Sequence, residues 1–463
     1  MSIVGVIVTD ELYGVVTTND NELDYSFSNY LSGDIQNKTI NTVKNNIGLR
    51  NFFIRTFNQI NFSVFNIVNK LLILNDGSFV PKEYVETIYG IDFVGFNKLN
   101  KFVNKISTIQ TILEKNDKTF IFVIAPNKVY LDINNVPNKY KQQKTDSTNY
   151  IVLSNLLIKN NINFIDFNKY YKEMNDTIQY PLFYKYGVHW SGYSSTIVAD
   201  TMFSYLYNKL NYPKPYFYTE AVFSTYDSVA YYDNDLERIA NLYYGIEKIK
   251  YSYPKIVFGK TNNKKPDIII VGDSYVESFY TFYPFCDSLL NSKSRFWYYN
   301  ESVEWPKENK GKNVNTLNNN DEFIDRDAFV IIENTSRISH DFTFNFIDEL
   351  YLFLNFKDIC KNFSLEKNMR SIISDKEFYK TIIEKANKNK ISVDEQLKLD
   401  IIWMFNKNKF YNKIRTKIEN NFKKSKEISS SIKQKAIKNK VKEDSQLKFD
   451  VHWIIEQKFS INK

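Results

Sequence analysis

Residues 266–283 read Pro-Asp-Ile-Ile-Ile-Val-Gly-Asp-Ser-Tyr-Val-Glu-Ser-Phe-Tyr-Thr-Phe-Tyr. The apolar, β-branched run from Asp267 to Val271 predicts a strand buried on both faces, as in a parallel sheet. Gly272 breaks the run. Tyr275, Phe279 and Phe282 then recur at helical spacing until Pro284 ends the pattern. Ser274 therefore stands where a buried strand passes into a helix. Ligands of open α/β sheets bind beyond the carboxyl ends of the strands, and the unpaired first amides of a helix favour negative charge. Ser274 is a candidate nucleophile with oxyanion donors beside it. The same position also suits an N-capping serine.

Other segments extend this pattern. Buried strands are predicted at Thr119–Ala125, at 162–166, at 295–299 and at 329–333, with a further one at 255–259 joining the same sheet. Helices are predicted over 97–115, with Phe102, Ile106, Ile109 and Leu113 on one face, and over 147–160. Residues 70–90 read as a strand, an Asp-Gly turn and a second short extended piece. Alternating strands and helices imply an α/β fold with a mainly parallel sheet flanked by helices.

An imidazole base has few sources, because the chain holds only His189, His340 and His452. His189 lies in Tyr-Gly-Val-His-Trp, just ahead of a helix that Ser191 can cap. His340 sits among charged loop residues and His452 lies in the C-terminal tail, so His189 is the candidate base. A structural histidine bonded to backbone is the plainer alternative. Arg337 follows the strand at 329–333 and so falls on the side where a site forms.

The two cysteines, Cys286 and Cys360, give neither metal spacing nor a disulfide framework. There is no run of eighteen apolar residues, hence no transmembrane helix is expected. The apolar start, Met1 to Val8, lacks the basic region of a signal peptide. The formal charge of +8 is uneven. Residues 376–463 carry 22 Lys and Arg against 11 Asp and Glu, leaving the remainder near −3. The basic excess belongs to the tail, which argues against a nucleic-acid-binding reading of the whole chain.

That tail repeats at a spacing of about 50 residues, within the range of repeat units. Lys385-Ala386-Asn387-Lys388-Asn389-Lys390 aligns with Lys435-Ala436-Ile437-Lys438-Asn439-Lys440, and Trp403 with Trp453. Each unit reads as a helical hairpin, the two packing through Trp403 and Trp453. The expected organisation is an entry segment and helix over 1–68, a catalytic α/β domain over 69–370, and a basic all-α appendage over 376–463, whose basic face is a solvated surface or else meets an acidic protein partner or a membrane surface.

These pieces together resemble the AlgJ/AlgX-like alginate O-acetyltransferase family of SGNH-hydrolase-like proteins, over roughly residues 24–355. Gly48-Leu49-Arg50 is similar to the family's Gly-x-Arg segment, and residues 72–90 to its hairpin. Pro126-Asn127-Lys128 resembles its Pro-x-Lys, and His189-Trp190 its Asp-x-His-Trp. Gly272-Asp273-Ser274 resembles its Gly-Asp-Ser block, and residues 333–338 its strand-end segment with Glu and Arg. The resemblance implies an SGNH-hydrolase-like domain without metal or cofactor. It implies transfer of acetyl groups onto hydroxyls of an extracytoplasmic polysaccharide, from a donor supplied by a membrane-bound O-acyltransferase. By the same resemblance Ser274 is the nucleophile and His189 its base. Asp273, Tyr275, Trp190 and Arg337 bind substrate or the oxyanion.

One position departs from the pattern: the aspartate of Asp-x-His-Trp falls on Gly187. Three explanations follow. Another carboxylate, with Asp166 at the end of the third strand as the candidate, orients the histidine. A backbone carbonyl does so and leaves a slower dyad. Or catalysis is lost, leaving a glycan-binding scaffold. A carbohydrate esterase using water as acceptor is the nearest catalytic alternative.

Overall fold

The computed structural model describes Leu12 and residues 50–458, apart from 142–144, 146, 176, 228, 260–261, 318, 340–342, 356–363 and 408. Gly48, Leu49, His340, Cys360 and the apolar start fall outside the described residues. A helix, Arg50–Phe65, leads into a hairpin of β1 (Leu71–Ile73) and β2 (Phe79–Pro81), turned at Gly77 with φ +80°. The second short extended piece expected after the Asp-Gly turn is β2, and a helix follows it directly. Lys82–Tyr89 is a helix that buries Tyr84, Val85 and Ile88, because its apolar residues recur at spacings of one, three and four.

The helix Phe96–Glu114 buries Leu99, Phe102, Ile106, Ile109 and Leu113. It precedes β3 (Thr119–Ala125), every residue of which is buried. The helix Asn149–Lys159 returns the chain to β4 (Phe164–Asp166). Next come β5 (Phe217–Thr225) and β6 (Tyr251–Phe258), which pair antiparallel as a separate two-stranded ribbon. The strand expected at 255–259 therefore does not join the main sheet. Its Pro254 lacks an N–H for a central ladder, and its polar residues suit a ribbon on the surface.

The sheet is completed by β7 (Ile268–Gly272), β8 (Arg295–Tyr298), β9 (Ser302–Trp305) and β10 (Ala328–Asn334). Strand order is β4-β3-β10-β7-β8-β9, parallel throughout except for the β8–β9 pair at one edge. Successive side chains point to opposite faces. Phe120, Phe122, Ile124, Ile269 and Val271 thus enter one apolar core, while Ile121, Val123, Ile268 and Ile270 enter the other. Covering both faces is what permits continuous apolar strands. The fold is the expected α/β arrangement, a mainly parallel sheet flanked by helices, with a helical C-terminal region. The ends of β3, β7 and β10 lie side by side and deliver Lys128, Ser274 and Arg337 to one edge.

Six helices occupy 365–458. Lys385 pairs with Asp400 at 2.6 Å and Lys435 with Asp450 at 2.9 Å. Asn389 donates to Gln396 and Asn439 to Gln446, at 2.7 and 2.8 Å. Trp403 and Trp453 do not form the expected packed pair. They are 61% and 59% exposed, and the interior is filled by Leu397, Ile401, Ile402, Val451 and Ile455. His452 is buried against the Tyr411 hydroxyl. Among the described residues no helix is long and apolar enough to cross a membrane.

Candidate active site

Ser274 opens a short 3-10 turn, Ser274–Glu277, directly after β7. Asp273, not Ser274, is the cap: its carboxylate accepts from the Tyr275 N–H at 3.0 Å. Capping by the neighbour leaves the Ser274 hydroxyl to point outward. Its Oγ lies 2.7 Å from His189 Nε2. His189 precedes the helix Gly192–Lys209, and Ser191 caps that helix as expected.

The far nitrogen of the imidazole faces Asp235. His189 Nδ1 is 3.2 Å from Asp235 Oδ2, an ion-pair contact in which the N–H lies off the hydrogen-bond axis. Catalytic contacts are often loose without substrate. The other oxygen, Asp235 Oδ1, accepts from the amides of Val188 and Leu236, both at 3.0 Å. Asp235 is the first residue of the helix Asp235–Ala240 and is buried. Burial alone pushes the His189 imidazole down. The contact with Asp235 and its charge, followed by Asp273 and Glu277, outweigh this and leave it above its ordinary value.

Asp166 does not take the expected role. Its carboxylate caps the helix Phe167–Met174 through Asn168 and Lys169 and accepts from the Tyr150 hydroxyl at 2.8 Å. The physical reason is local: a helix begins at the next residue, and its unpaired amides take the carboxylate. Asp235 was missed because no motif spacing links it to His189. The available signal was a short acidic cluster, Asp233-Asn234-Asp235, ahead of a brief apolar segment.

Gly187 now has a structural explanation. A Cβ built there would sit 2.7 Å from the Asp233 carbonyl oxygen and 3.2 Å from that of Tyr232. The strand-to-helix segment that brings Asp235 to the histidine occupies the space a side chain at 187 needs. The loop is also held from below. Lys128 is buried and its ammonium donates to the carbonyls of Tyr184, Lys185 and Gly187 at 3.1, 3.0 and 2.9 Å. Burial drags its pKa down to about 7, against the pull of Asp235 and Asp76.

Of the remaining expected residues, Asp273 and Arg337 line the cleft in front of Ser274. Burial raises the Asp273 carboxyl, while the Tyr275 amide and then the charges of Arg337 and His189 oppose the rise. The Arg337 guanidinium lies 4.9 Å above the Tyr299 ring. Tyr275 reaches the same cleft, yet its hydroxyl is engaged by Val188 O at 2.8 Å and Pro126 O at 3.2 Å. Trp190 does not line the cleft. It is fully buried, stacked on Phe279 and donating to Ser278 Oγ at 2.8 Å. Its large apolar face is more stable there than in water.

The cleft measures about 1020 Å³ and holds Ser274, His189 and Asp235 at its floor. A hydroxyl bonded to an imidazole, itself faced by a buried carboxylate, is the arrangement of a serine nucleophile with its base and orienting acid.

Residues 92–293 match the family model described as SGNH hydrolase-like domain, acetyltransferase AlgX. The matched segment contains His189, Asp235 and Ser274 but not Arg337. No curated protein matches the chain. Among solved structures, the chain is similar to the O-acetyltransferase domain of Pseudomonas putida AlgJ, at 13% identity and a TM-score of 0.41, over 61% of this chain and 98% of that one. Similarity to Pseudomonas aeruginosa AlgX is at 12% identity and a TM-score of 0.39, over 61% of this chain and 66% of that one. For Bacillus cereus PatB1 the values are 10% and 0.32, over 54% and 93%.

Proposed function

We propose that this chain is an O-acetyltransferase that carries an acetyl group on Ser274 and passes it to a hydroxyl of an extracytoplasmic polysaccharide. The observation that carries the reading is the 2.7 Å contact of Ser274 Oγ with His189 Nε2 on the floor of the cleft. In the first half, the Ser274 proton moves to His189 Nε2 while Oγ attacks the acetyl carbonyl of the donor. The tetrahedral oxyanion is met by the Ser274 amide and the Arg337 guanidinium. It collapses, breaking the bond to the donor oxygen or sulfur, which leaves with the proton from His189. In the second half, a sugar hydroxyl gives its proton to His189 and attacks acetyl-Ser274. Ser274 is released with that proton. Asp235 fixes the Nδ1–H tautomer and stabilises the imidazolium that forms in each half.

The match to an acetyltransferase family supports transfer as the chemistry. Asp235 supplies the carboxylate that Gly187 lacks, which favours a catalytic site over a scaffold. The acetyl donor is delivered by a membrane-bound O-acyltransferase partner, with the site outside the cytoplasm. The catalytic unit spans 69–370, and the repeated helical tail, 376–463, binds a protein partner.

The same residues serve an esterase if water takes the acetyl group, and the open cleft admits that second reading. The test incubates the protein with p-nitrophenyl acetate and oligosaccharides. O-acetylated oligosaccharide that disappears in Ser274→Ala supports transfer. Free acetate with no acetylated sugar, at every oligosaccharide concentration, would replace it with hydrolysis.

A further inference from the structure

The acyl-transfer reading fixes where the acceptor sits; the wall of the cleft bears on what it is. Four carboxylates line the cleft: Glu83, Asp235, Asp273 and Glu277. Among the described residues lining it, Arg337 is the one arginine or lysine. Two of the acids are committed internally. Asp235 serves His189 and two amides, and Asp273 serves the Tyr275 amide and faces Arg337. The Arg337 guanidinium, over the Tyr299 ring, is the single cation set against them among the described residues.

Glu277 differs from these. It ends the 3-10 turn that Ser274 begins, and its side chain is only partly buried. Among the described residues its carboxylate makes no hydrogen bond or ion pair. Burial raises its carboxyl and Glu304 adds to the rise, against the charge of His189 and Lys310. The Lys310 ammonium pairs with Glu304 instead, at 3.4 Å. Glu277 therefore has acceptor capacity left over, one turn from the nucleophile. Around it the cleft wall is aromatic, formed by Tyr232, Tyr298 and Tyr299. Tyr299 is held in the left-handed region at φ +51°, and Asn300 beside it at φ +53°. A bulky residue there is strained, and such strain gathers where a side chain must be aimed. The Asn300 amide anchors the turn by donating to Phe344 O and Glu349 Oε1 at 3.2 and 3.3 Å.

We infer that the cleft selects an acceptor glycan without acid groups, whose hydroxyl or amino groups donate to Glu277 while its rings lie on Tyr298 and Tyr299. The site itself is fixed by the Ser274–His189 pair; the carboxylates set its charge. Sugar faces pack on aromatic rings, and their hydroxyls donate to carboxylates. A polyuronate brings a carboxylate on every residue into a cleft lined by four carboxylates against one guanidinium, and like charges brought together exclude wrong partners. The inference rests on the acetyltransfer reading, yet it is tested apart from turnover.

The test uses Ser274→Ala protein and matched-length oligomers of glucosamine, N-acetylglucosamine and galacturonate. Binding is measured by titration at low and high salt. The expected result is that the two non-acidic oligomers bind about tenfold or more tighter than oligogalacturonate. The gap narrows with salt. Glu277→Lys, checked for native circular dichroism, closes or reverses it, and Glu277→Gln narrows it. Equal or tighter binding of the uronate overturns the inference, as does no binding of any oligomer, or a gap that Glu277→Lys leaves intact. If selectivity holds while wild-type protein never forms acetyl-Ser274, the acetyltransferase reading fails and the binding inference stands.

Discussion

His189 and Asp235 meet across a loop that has no room for a nearer carboxylate. Nδ1 and Oδ2 are 3.2 Å apart, while a side chain at Gly187 would strike the Asp233 carbonyl at 2.7 Å. The carboxylate that faces the histidine comes from the helix Asp235–Ala240, far along the chain, and its arrival leaves no room for a side chain at 187.

The first consequence concerns the two candidate acids. Asp235→Asn keeps the shape but removes the charge that holds the tautomer, and should slow acylation by about 10³–10⁴. Asp166→Ala should cost about 0.5–2 kcal/mol of stability as a lost helix cap and leave the rate within about twofold. Burst kinetics with an activated acetyl ester, read beside thermal melts, separates them.

Acylation should also depend on pH in a way that Asp235 sets. The base must be neutral to accept the Ser274 proton, so the rate rises as pH passes through the His189 pKa. Burial lowers that pKa, but Asp235, Asp273 and Glu277 together hold it above the ordinary 6.5. The wild-type midpoint should therefore lie above 6.5, and in Asp235→Asn it should move down. A pH–rate profile of the acylation step measures both.

Asp233 gives a stability effect of definite sign. It is buried, with neither carboxylate oxygen in an aligned hydrogen bond. Burial pushes its pKa up to about 7, although Tyr253, the Gly192 amide and His189 pull the other way. The folded state thus favours the protonated acid. The penalty for ionising it grows as pH rises from the ordinary 3.8 towards about 7 and is complete above that. Asp233→Asn should stabilise the protein by about 1–3 kcal/mol near pH 8 and by little near pH 4. Denaturant melts at the two pH values check this.

Lys128 should act on catalysis from behind the loop. Lys128→Met leaves the carbonyls of Tyr184, Lys185 and Gly187 without their shared donor. The amide of Phe79 still donates to Lys185 O and that of Gly187 to Tyr184 O, so the Gly187 carbonyl bears the main loss, and an unsatisfied buried acceptor costs about 1–3 kcal/mol. The expected outcome is a loss of about 1–3 kcal/mol in stability and acylation slowed by about tenfold or more. Stopped-flow acylation and melts on the same variant would measure the two losses.

Much of the sheet was legible because its strands are buried on both faces. Runs such as Thr119–Ala125 and Ile268–Gly272 have no polar interruption, and a serine after the second run lands at the sheet edge. The strand expected at 255–259 joins β5 in a separate ribbon rather than the main sheet, since a short apolar run does not say which sheet it joins. Asp235 was illegible for a related reason. Contacts between distant segments are set by packing, and the acid cluster at 233–235 resembles any helix start. Trp403 and Trp453 occupy matching positions in their helices, but matching position does not fix burial: Ile401, Ile402 and Val451 fill the interior instead.

The measurement closest to the central claim is intact-mass spectrometry after exposure to p-nitrophenyl acetate, on wild type, Ser274→Ala, His189→Ala and Asp235→Ala. The account predicts one acetyl group on wild type, mapped to Ser274, absent from Ser274→Ala and His189→Ala, and accumulating far more slowly in Asp235→Ala. Folded wild-type protein that gains no acetyl group, or gains it equally in Ser274→Ala, would contradict it.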